Sequence, residues 1–441
     1  MKIVLVLLDG LGDRSYPSLQ DRTPLQAAQT PNLDRLAALG SNGLFHASCP
    51  GECLPSEIAH HLIFGYAREA FPGRGLLEGV GASVPFQDQD VLCLAHLSHV
   101  RLVDGIPILT VSHKTIDLDP EERNALYAAL SPYESGPIRI ELHRTYGNNG
   151  ILVLKGPVSP FVSDSDPMLR GCSMARIHPL ADNPEPERAE RTARALNDYL
   201  RHCHAVLSRH PINRGRLASG RAPANFLATQ RSGRRIRQEP FPQKWGMTAR
   251  LIGSGAVFAG LAHELGLDFT PEKDTAAPGE DLRRRVRMAL DDGFHDFIHV
   301  HTKAPDEAAH RGDPLAKKRI IQDLDGALSE ALDAVTTRGD LLLAVTADHS
   351  TPCESRLIHS GEPVPVALAG QGVRRDAVVR FDEISAAAGC LGFLRGGELL
   401  LTLLNYADRS ALVSHCLGPA RRPFFPTDYA PFDIGNPPAA D

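Results

Sequence analysis

Residues 2–8 read KIVLVLL and stop on Asp9-Gly10. A run of β-branched residues and leucines without polar alternation suits a strand buried on both faces, the habit of parallel sheets covered by helices. It also leaves a carboxylate at the strand's C-terminal end, facing a loop. The same texture recurs downstream between helical stretches. Strands are expected at Phe297–His301, Leu341–Thr346 and Val364–Ala369, with helices at Ser254–Leu265, Asp281–Asp292 and Pro314–Thr337. Apolar strands alternating with helices predict an α/β fold whose mainly parallel sheet is flanked by helices. Nearer the start, Thr30-Pro31 opens a helix through Leu39, and a short helix over Glu57–Phe64 begins immediately after Ser56.

From about residue 88 the texture changes. Short strand candidates at Val91–Leu97, Ile108–Val111, Ile138–Leu142 and Ile151–Leu154 are separated by Gly, Pro and Asn turns. The cluster Gly147-Asn148-Asn149-Gly150 reads as a hairpin loop, and Pro120–Leu130 as a helix among the strands. This block, 88–180, is expected to be an inserted α+β cap domain, with 1–87 and 181–441 forming the core. Glu185–His210 is a long helical stretch rich in Ala, Arg and Leu, and the last twenty residues are Pro-rich and poor in aliphatics.

The 441 residues carry 47 Lys+Arg against 53 Asp+Glu, a formal net charge of −6. That mild acidity gives no polyelectrolyte signature, so a nucleic-acid partner is not expected. The first apolar run is far too short for a membrane span and lacks the length and cleavage region of a signal peptide. Eight scattered cysteines without a CxxC fit reduced thiols, and a cytoplasmic location is expected. Nothing in the sequence fixes an oligomeric state.

Three clusters carry chemistry. Asp306 and His310 are spaced i,i+4 after the strand Phe297–His301, so a helical turn points both side chains at one spot. Asp348-His349 ends the strand Leu341–Thr346, with His359-Ser360-Gly361 ten residues later. Asp9 ends the first strand. Each cluster alone is a common accident, but in a parallel sheet such strand ends share one edge, where these folds bind ligands. Mixed carboxylate and imidazole donors suit Mn or Zn, with Mg also admissible, and no paired cysteines favour a thiolate site.

Taken together these motifs resemble the alkaline phosphatase superfamily and, within it, the cofactor-independent phosphoglycerate mutases of the archaeal type. Asp9-Gly10-Leu11-Gly12-Asp13-Arg14 is similar to the family's opening motif, and Thr23-Pro24-Leu25 with Thr30-Pro31-Asn32-Leu33-Asp34 to its next signature. Ser56-Glu57-Ile58-Ala59-His60, Phe64-Gly65-Tyr66 and Gly73-Arg74-Gly75 resemble the nucleophile region. Asp306–His310 with Gly312-Asp313, then Asp348–Cys353 and His359–Pro365, complete the pattern. The similarity is strong over the first 85 residues and about 250–405, and faint between. It implies an alkaline-phosphatase-like core and two divalent ions. Asp306, His310 and His359 would hold one, and Asp9, Asp348 and His349 the other, with Ser56 bridging toward it. Ser56 would be the nucleophile, giving a phosphoserine intermediate on a small phosphorylated metabolite. Lys303 would offset charge on the phosphoryl oxygens.

The resemblance fails at the substrate grip. A family segment resembling DRRAGR reads Leu109–Thr115 here, with His113 and Lys114 in place of the arginines; a GHR reads Gly147-Asn148-Asn149; an RGxG-like loop reads Gln230–Arg235. Arginine pairs are the efficient clamp for a small carboxylated phosphoester. Arg74, Arg231, Arg234 and Arg235 are the substrate-binding candidates that remain. The expectation is a phosphomutase for which 3-phosphoglycerate is a poor substrate. The alternatives are a phosphatase or mutase for another phosphorylated or phosphonate-bearing hydroxy acid, or a metal-binding relative without catalysis.

Overall fold

The run KIVLVLL forms strand β1 (Lys2–Leu8), fully buried from Ile3 onward, as a strand covered on both faces must be. The computed structural model describes residues 1–426 and 429–435. The expected loose tail falls partly outside the described residues. Among the described residues thirteen further strands follow in chain order: β2 (Ser41–His46), β3 (Val91–Val103), β4 (Ile106–Val111), β5 (Tyr133–Ser135), β6 (Ile138–Arg144), β7 (Asn149–Lys155) and β8 (Phe226–Gly233). Then come β9 (Ala249–Gly253), β10 (Asp268–Pro271), β11 (Phe297–Thr302), β12 (Leu341–Thr346), β13 (Val364–Gly370) and β14 (Gly392–Arg395).

The chain divides into two compact units: residues 1–70, 238–254 and 262–441, and residues 71–237 with 255–261. In the first, eight strands pair in the order β10-β9-β11-β1-β12-β13-β2-β14. Pairing is parallel except along β13, which runs antiparallel to both neighbours, so the sheet is mainly parallel as expected. Strand β1 lies between β11 and β12, with Leu8 beside Thr302 and Leu7 beside Thr346. That register brings Asp9, Lys303 and Asp348 to one sheet edge. The expected helix Pro314–Thr337 is two helices, Pro314–Gly326 and Ser329–Thr337. Gly326, a poor helix former, ends the first.

The second unit is built on an antiparallel sheet in the order β4-β3-β7-β6-β5, with β8 on β3. It spans more than 88–180. The helix Arg74–Gly81 packs on β3 and β8 through Gly75 and Gly79, and the long helix Pro186–Arg209 closes the other face. Alternation along β3 separates the faces: Val91, Cys93, Ala95 and Leu97 point into the larger core, whereas Leu92 and Leu94 join a smaller cluster with Leu76. The helix and β8 that sequence placed in the core therefore belong to this unit, because β8 completes the pairing of β3.

No helix among the described residues is long and apolar enough to cross a membrane. All eight cysteines are free.

Candidate metal centre and anion cavity

Asp9 follows β1 directly, and its backbone N–H donates to Thr302 O at 3.0 Å, which fixes it to the end of β11. Gly10 follows with φ +65°, and a Cβ there would lie 2.6 Å from Thr351 Oγ1 and 2.8 Å from Asp306 Cβ. Only glycine allows the β1 end to approach the helix that carries Asp306 so closely. Below this loop the wholly buried Lys317 ammonium donates to Gly12 O, Thr351 O and Asp13 Oδ2 at 2.9–3.0 Å. Nothing in the sequence marks Lys317, which lies inside an ordinary amphipathic helix.

The helix Ala304–His310 presents Asp306 and His310 one turn apart, Oδ2 to Nε2 3.3 Å. His359 Nε2 lies 3.5 Å from the other oxygen of Asp306, and its Nδ1 donates to Leu54 O at 2.7 Å. That bond fixes the ring and leaves Nε2 as the lone-pair nitrogen. His349 stacks on His359 with ring centroids 3.8 Å apart. His349 Nε2 sits 3.4 Å from Asp9 Oδ1, 3.2 Å from Asp348 Oδ2 and 3.0 Å from Ser56 Oγ. Among the described residues of this unit the convergent donors form two groups: Asp306, His310 and His359, and Asp9, Asp306 and His349. Asp306 thus reaches both, where the resemblance gave the second group Asp348. Asp348 stays adjacent, its Oδ1 accepting from Gly10 N and its buried Oδ2 lacking a hydrogen bond.

Ser56 is the first residue of the helix Ser56–Ile63, and Pro55 occupies the cap position without a side-chain bond. Its hydroxyl is therefore not spent on capping. It points at His349 and, at 3.4 Å, at Asp9 Oδ1. Three buried imidazoles unmarked as site residues in the sequence, His60, His299 and His301, lie behind it. His60 meets the other two edge-on at 5.1 and 4.9 Å, and His301 Nε2 contacts Asp9 Oδ2 at 3.0 Å. Burial drives all three below the ordinary histidine range, so they serve as neutral supports.

The carboxylates feel one another. Burial first, then the charges of Asp348 and Asp306, push Asp9 well above the usual carboxylate range. Asp306 is held at about 2 because its contact with His310 and the charges of His349 and His310 outweigh its burial. Burial and His349 lower His359 to about 4. Three acids crowded together concentrate negative charge, which is the condition divalent cations relieve.

In the second unit a cavity of about 520 Å³ is lined by residues of the three segments that depart from the family: His113 and Lys114, Gly147–Asn149, and Gln230 and Arg231. Arg74 also lines it, its Nε donating to Glu78 at 2.7 Å. Arg234 and Arg235 do not. Past Gly233 the chain leaves the cavity, and Arg234 forms a two-point pair with Glu185 while Arg235 pairs with Asp88 over the Phe86 ring. Both act as structural ties.

A family model described as the metalloenzyme superfamily matches residues 1–405. The chain is 39% identical to the 2,3-bisphosphoglycerate-independent phosphoglycerate mutase 2 of Methanocaldococcus jannaschii, over 97% of this chain and 98% of that protein. Among solved structures it is similar to the PH0037 protein of Pyrococcus horikoshii (TM-score 0.73, 27% identity, 93% of this chain and 98% of that one). The cofactor-independent phosphoglycerate mutase of Thermoplasma acidophilum is also similar, with TM-score 0.59, 27% identity, and 92% and 100% coverage.

Proposed function

Since the chain belongs to the metalloenzyme superfamily, and within it to the archaeal-type cofactor-independent phosphoglycerate mutases, a metal-dependent isomerase, we propose that it moves a phosphoryl group within a small phosphorylated hydroxy acid through phospho-Ser56. Phosphoglycerate, named for the relatives, is the first substrate to test. The observation that carries the reading is the uncapped Ser56 hydroxyl, aimed at the one place where three aspartates and three histidines converge.

The donor set fits two divalent ions. Ligands about 2.1 Å from a common ion lie roughly 3.0–3.4 Å from one another, and the contacts of His310, His349 and His359 with the aspartates run from 3.2 to 3.5 Å. We assign Asp306, His310 and His359 to one ion and Asp9, Asp348 and His349 to the other, with Asp306 near enough to serve both and Ser56 beside the second. Mn or Zn suits these donors. When bound, two such ions neutralise charge on the attacking and leaving oxygens of an in-line phosphoryl transfer.

The chain's own residues do the rest. Ser56 Oγ forms the new P–O bond as the bond to the substrate ester oxygen breaks and the serine proton passes to that oxygen; the second hydroxyl of the acid then takes the phosphoryl group back as its proton returns to Ser56. Lys303, at the start of the Asp306 helix, partly offsets the rise of Asp9 and is assigned to the phosphoryl oxygens. Arg74 and Arg231 are assigned to the acid's anionic end. Arg234 and Arg235, which lie outside the cavity lining, are not.

One observation favours a second reading: the cavity gathers all three departures from the family, which supports an acid other than 3-phosphoglycerate or a phosphatase outcome. The deciding experiment follows interconversion of 3- and 2-phosphoglycerate beside inorganic phosphate release over a panel of small phosphoesters. Interconversion without phosphate release is the expected result. Stoichiometric phosphate release from several unrelated esters would overturn the mutase reading.

A further inference from the structure

The second unit holds another imidazole–carboxylate cluster, which the reaction above does not use. His96 lies on β3, on the same face as Leu92 and Leu94, opposite Asn149 of β7 and Ala228 of β8. His113 sits in the turn that follows β4, and Asp166 in the segment tied to β8 by Ser165 N donating to Thr229 O at 2.9 Å. The His96 and His113 rings stack with centroids 4.1 Å apart, and His96 Nε2 is 3.2 Å from Asp166 Oδ2. One donor atom from each of the three falls within 4.8 Å of the others.

The local bonding does not explain this convergence. The His96 side chain is 4% exposed and that of Asp166 5%. Yet both ring nitrogens of His96, and Nδ1 of His113, are buried without a hydrogen bond. His96 Nε2 and Asp166 Oδ2 are close in distance but not aligned as a hydrogen bond. Buried imidazole nitrogens without a partner are unfavourable; the two nitrogens of one ring diverge, so each imidazole can offer one of them, together with the Asp166 carboxylate, to a shared occupant. The surroundings are ordered for the purpose. Asp166 Oδ1 accepts from Met168 N at 2.8 Å, leaving Oδ2 toward His96, and Asn148 Nδ2 donates to His113 O and Ile116 O at 2.9 Å, holding the His113 turn. The 3.2 Å spacing also matches that of His349 and Asp348 in the first unit.

We propose that His96, His113 and Asp166 bind a third divalent transition-metal ion. Two imidazoles and one carboxylate suit Zn²⁺, Mn²⁺ or Fe²⁺, and three protein ligands leave coordination positions open. All three residues line the 520 Å³ cavity, so those positions face it. A cation there would join Arg74, Lys114 and Arg231 around the cavity, and it can accept an anionic oxygen. The metal assignment stands independently of the reaction proposed above.

The test is a Zn²⁺ titration of the chelator-stripped full chain, by calorimetry and by metal analysis after equilibrium dialysis, with Co²⁺ absorption as a second probe. Wild type binds three equivalents. His96→Ala and His113→Ala each weaken one equivalent by about a hundredfold or more and keep the other two, whereas His310→Ala loses an equivalent elsewhere and keeps the third. Asp166→Asn, which preserves volume and the Met168 contact, guards against misfolding of the alanine variants, with circular dichroism as the check. Unchanged stoichiometry in His96→Ala and Asp166→Asn overturns the third site and leaves phospho-Ser56 untouched. Loss in His113→Ala with no loss in His310→Ala instead sustains the third site and overturns the ligand set of the first unit.

Discussion

The two imidazole–carboxylate clusters are held in different ways. In the first unit the donors hang from strand ends and a helix turn: Asp9 on β1, Asp306 and His310 just past β11, and Asp348 and His349 just past β12. Backbone ladders fix those ends, and Gly10, Lys317 and the Leu54 carbonyl lock what lies between. In the second unit one donor, His96, sits on a paired strand, whereas His113 lies in a turn and Asp166 on a loop segment, each of these two secured by one or two hydrogen bonds. The contrast teaches where each centre can vary. A phosphoryl group needs the same geometry whatever carries it, so its site is built from backbone that cannot shift without breaking the sheet. Loops exchange side chains without cost to the fold, so the second cluster is the one free to vary.

The sharpest way to break this contrast is at the nucleophile. Ser56→Ala removes the oxygen that takes the phosphoryl group, and turnover should fall by about four orders of magnitude or more with metal binding kept. Intact-mass analysis after brief exposure to substrate should show a phosphoryl adduct on the Ser56 peptide of wild type only. An adduct in the alanine variant moves the nucleophile elsewhere.

Next in size is the first-unit metal centre. His310→Ala and His349→Ala should each lose one ion and lower turnover by about three orders of magnitude, while circular dichroism stays native because the ligands lie at strand ends. Full activity at limiting metal shows that the ligand set is wrong.

Smaller effects belong to the cavity. Arg231→Ala should raise KM about tenfold with a lesser change in kcat, the behaviour of a group that binds ground state and transition state alike. A fall in kcat alone would assign Arg231 to the reacting phosphoryl group and blur the division between the two units.

The smallest expected effect concerns the support beneath the first cluster. Glu383 accepts from Thr23 Oγ1 at 2.8 Å and from Asp13 N at 3.3 Å, and burial raises its carboxyl from 4.5 to about 7. A raised carboxyl means the folded state keeps the proton between those values, so stability is full below about pH 4.5 and is lost as pH rises through 7. Glu383→Gln should remove that slope and raise the melting temperature at pH 8 by a few degrees, on the order of 2 kcal/mol or less. An unchanged pH dependence of melting means that Glu383 is ionised in the folded protein.

By itself the sequence determined the parallel sheet and the first cluster. KIVLVLL and the run at Leu341–Thr346 are apolar without alternation, which only a doubly covered strand satisfies, and the order of strands and helices fixes which ends share an edge. Asp9, Asp306, His310, Asp348, His349 and His359 were legible as clusters off those strand ends, whereas the role of Ser56 and the division of the ligands between two ions came from the resemblance to the family. Only the tertiary structure decided the rest. His60, His299 and His301 sit inside ordinary helical and strand patterns and become supports only where β11 meets the Ser56 helix. Arg234 and Arg235 look like a clamp in one dimension, but past Gly233 each finds a carboxylate distant in sequence, Glu185 and Asp88. His96, His113 and Asp166 lie seventeen and fifty-three residues apart along the chain. No local pattern links them, since strand pairing, unlike a helical turn, joins residues at any separation.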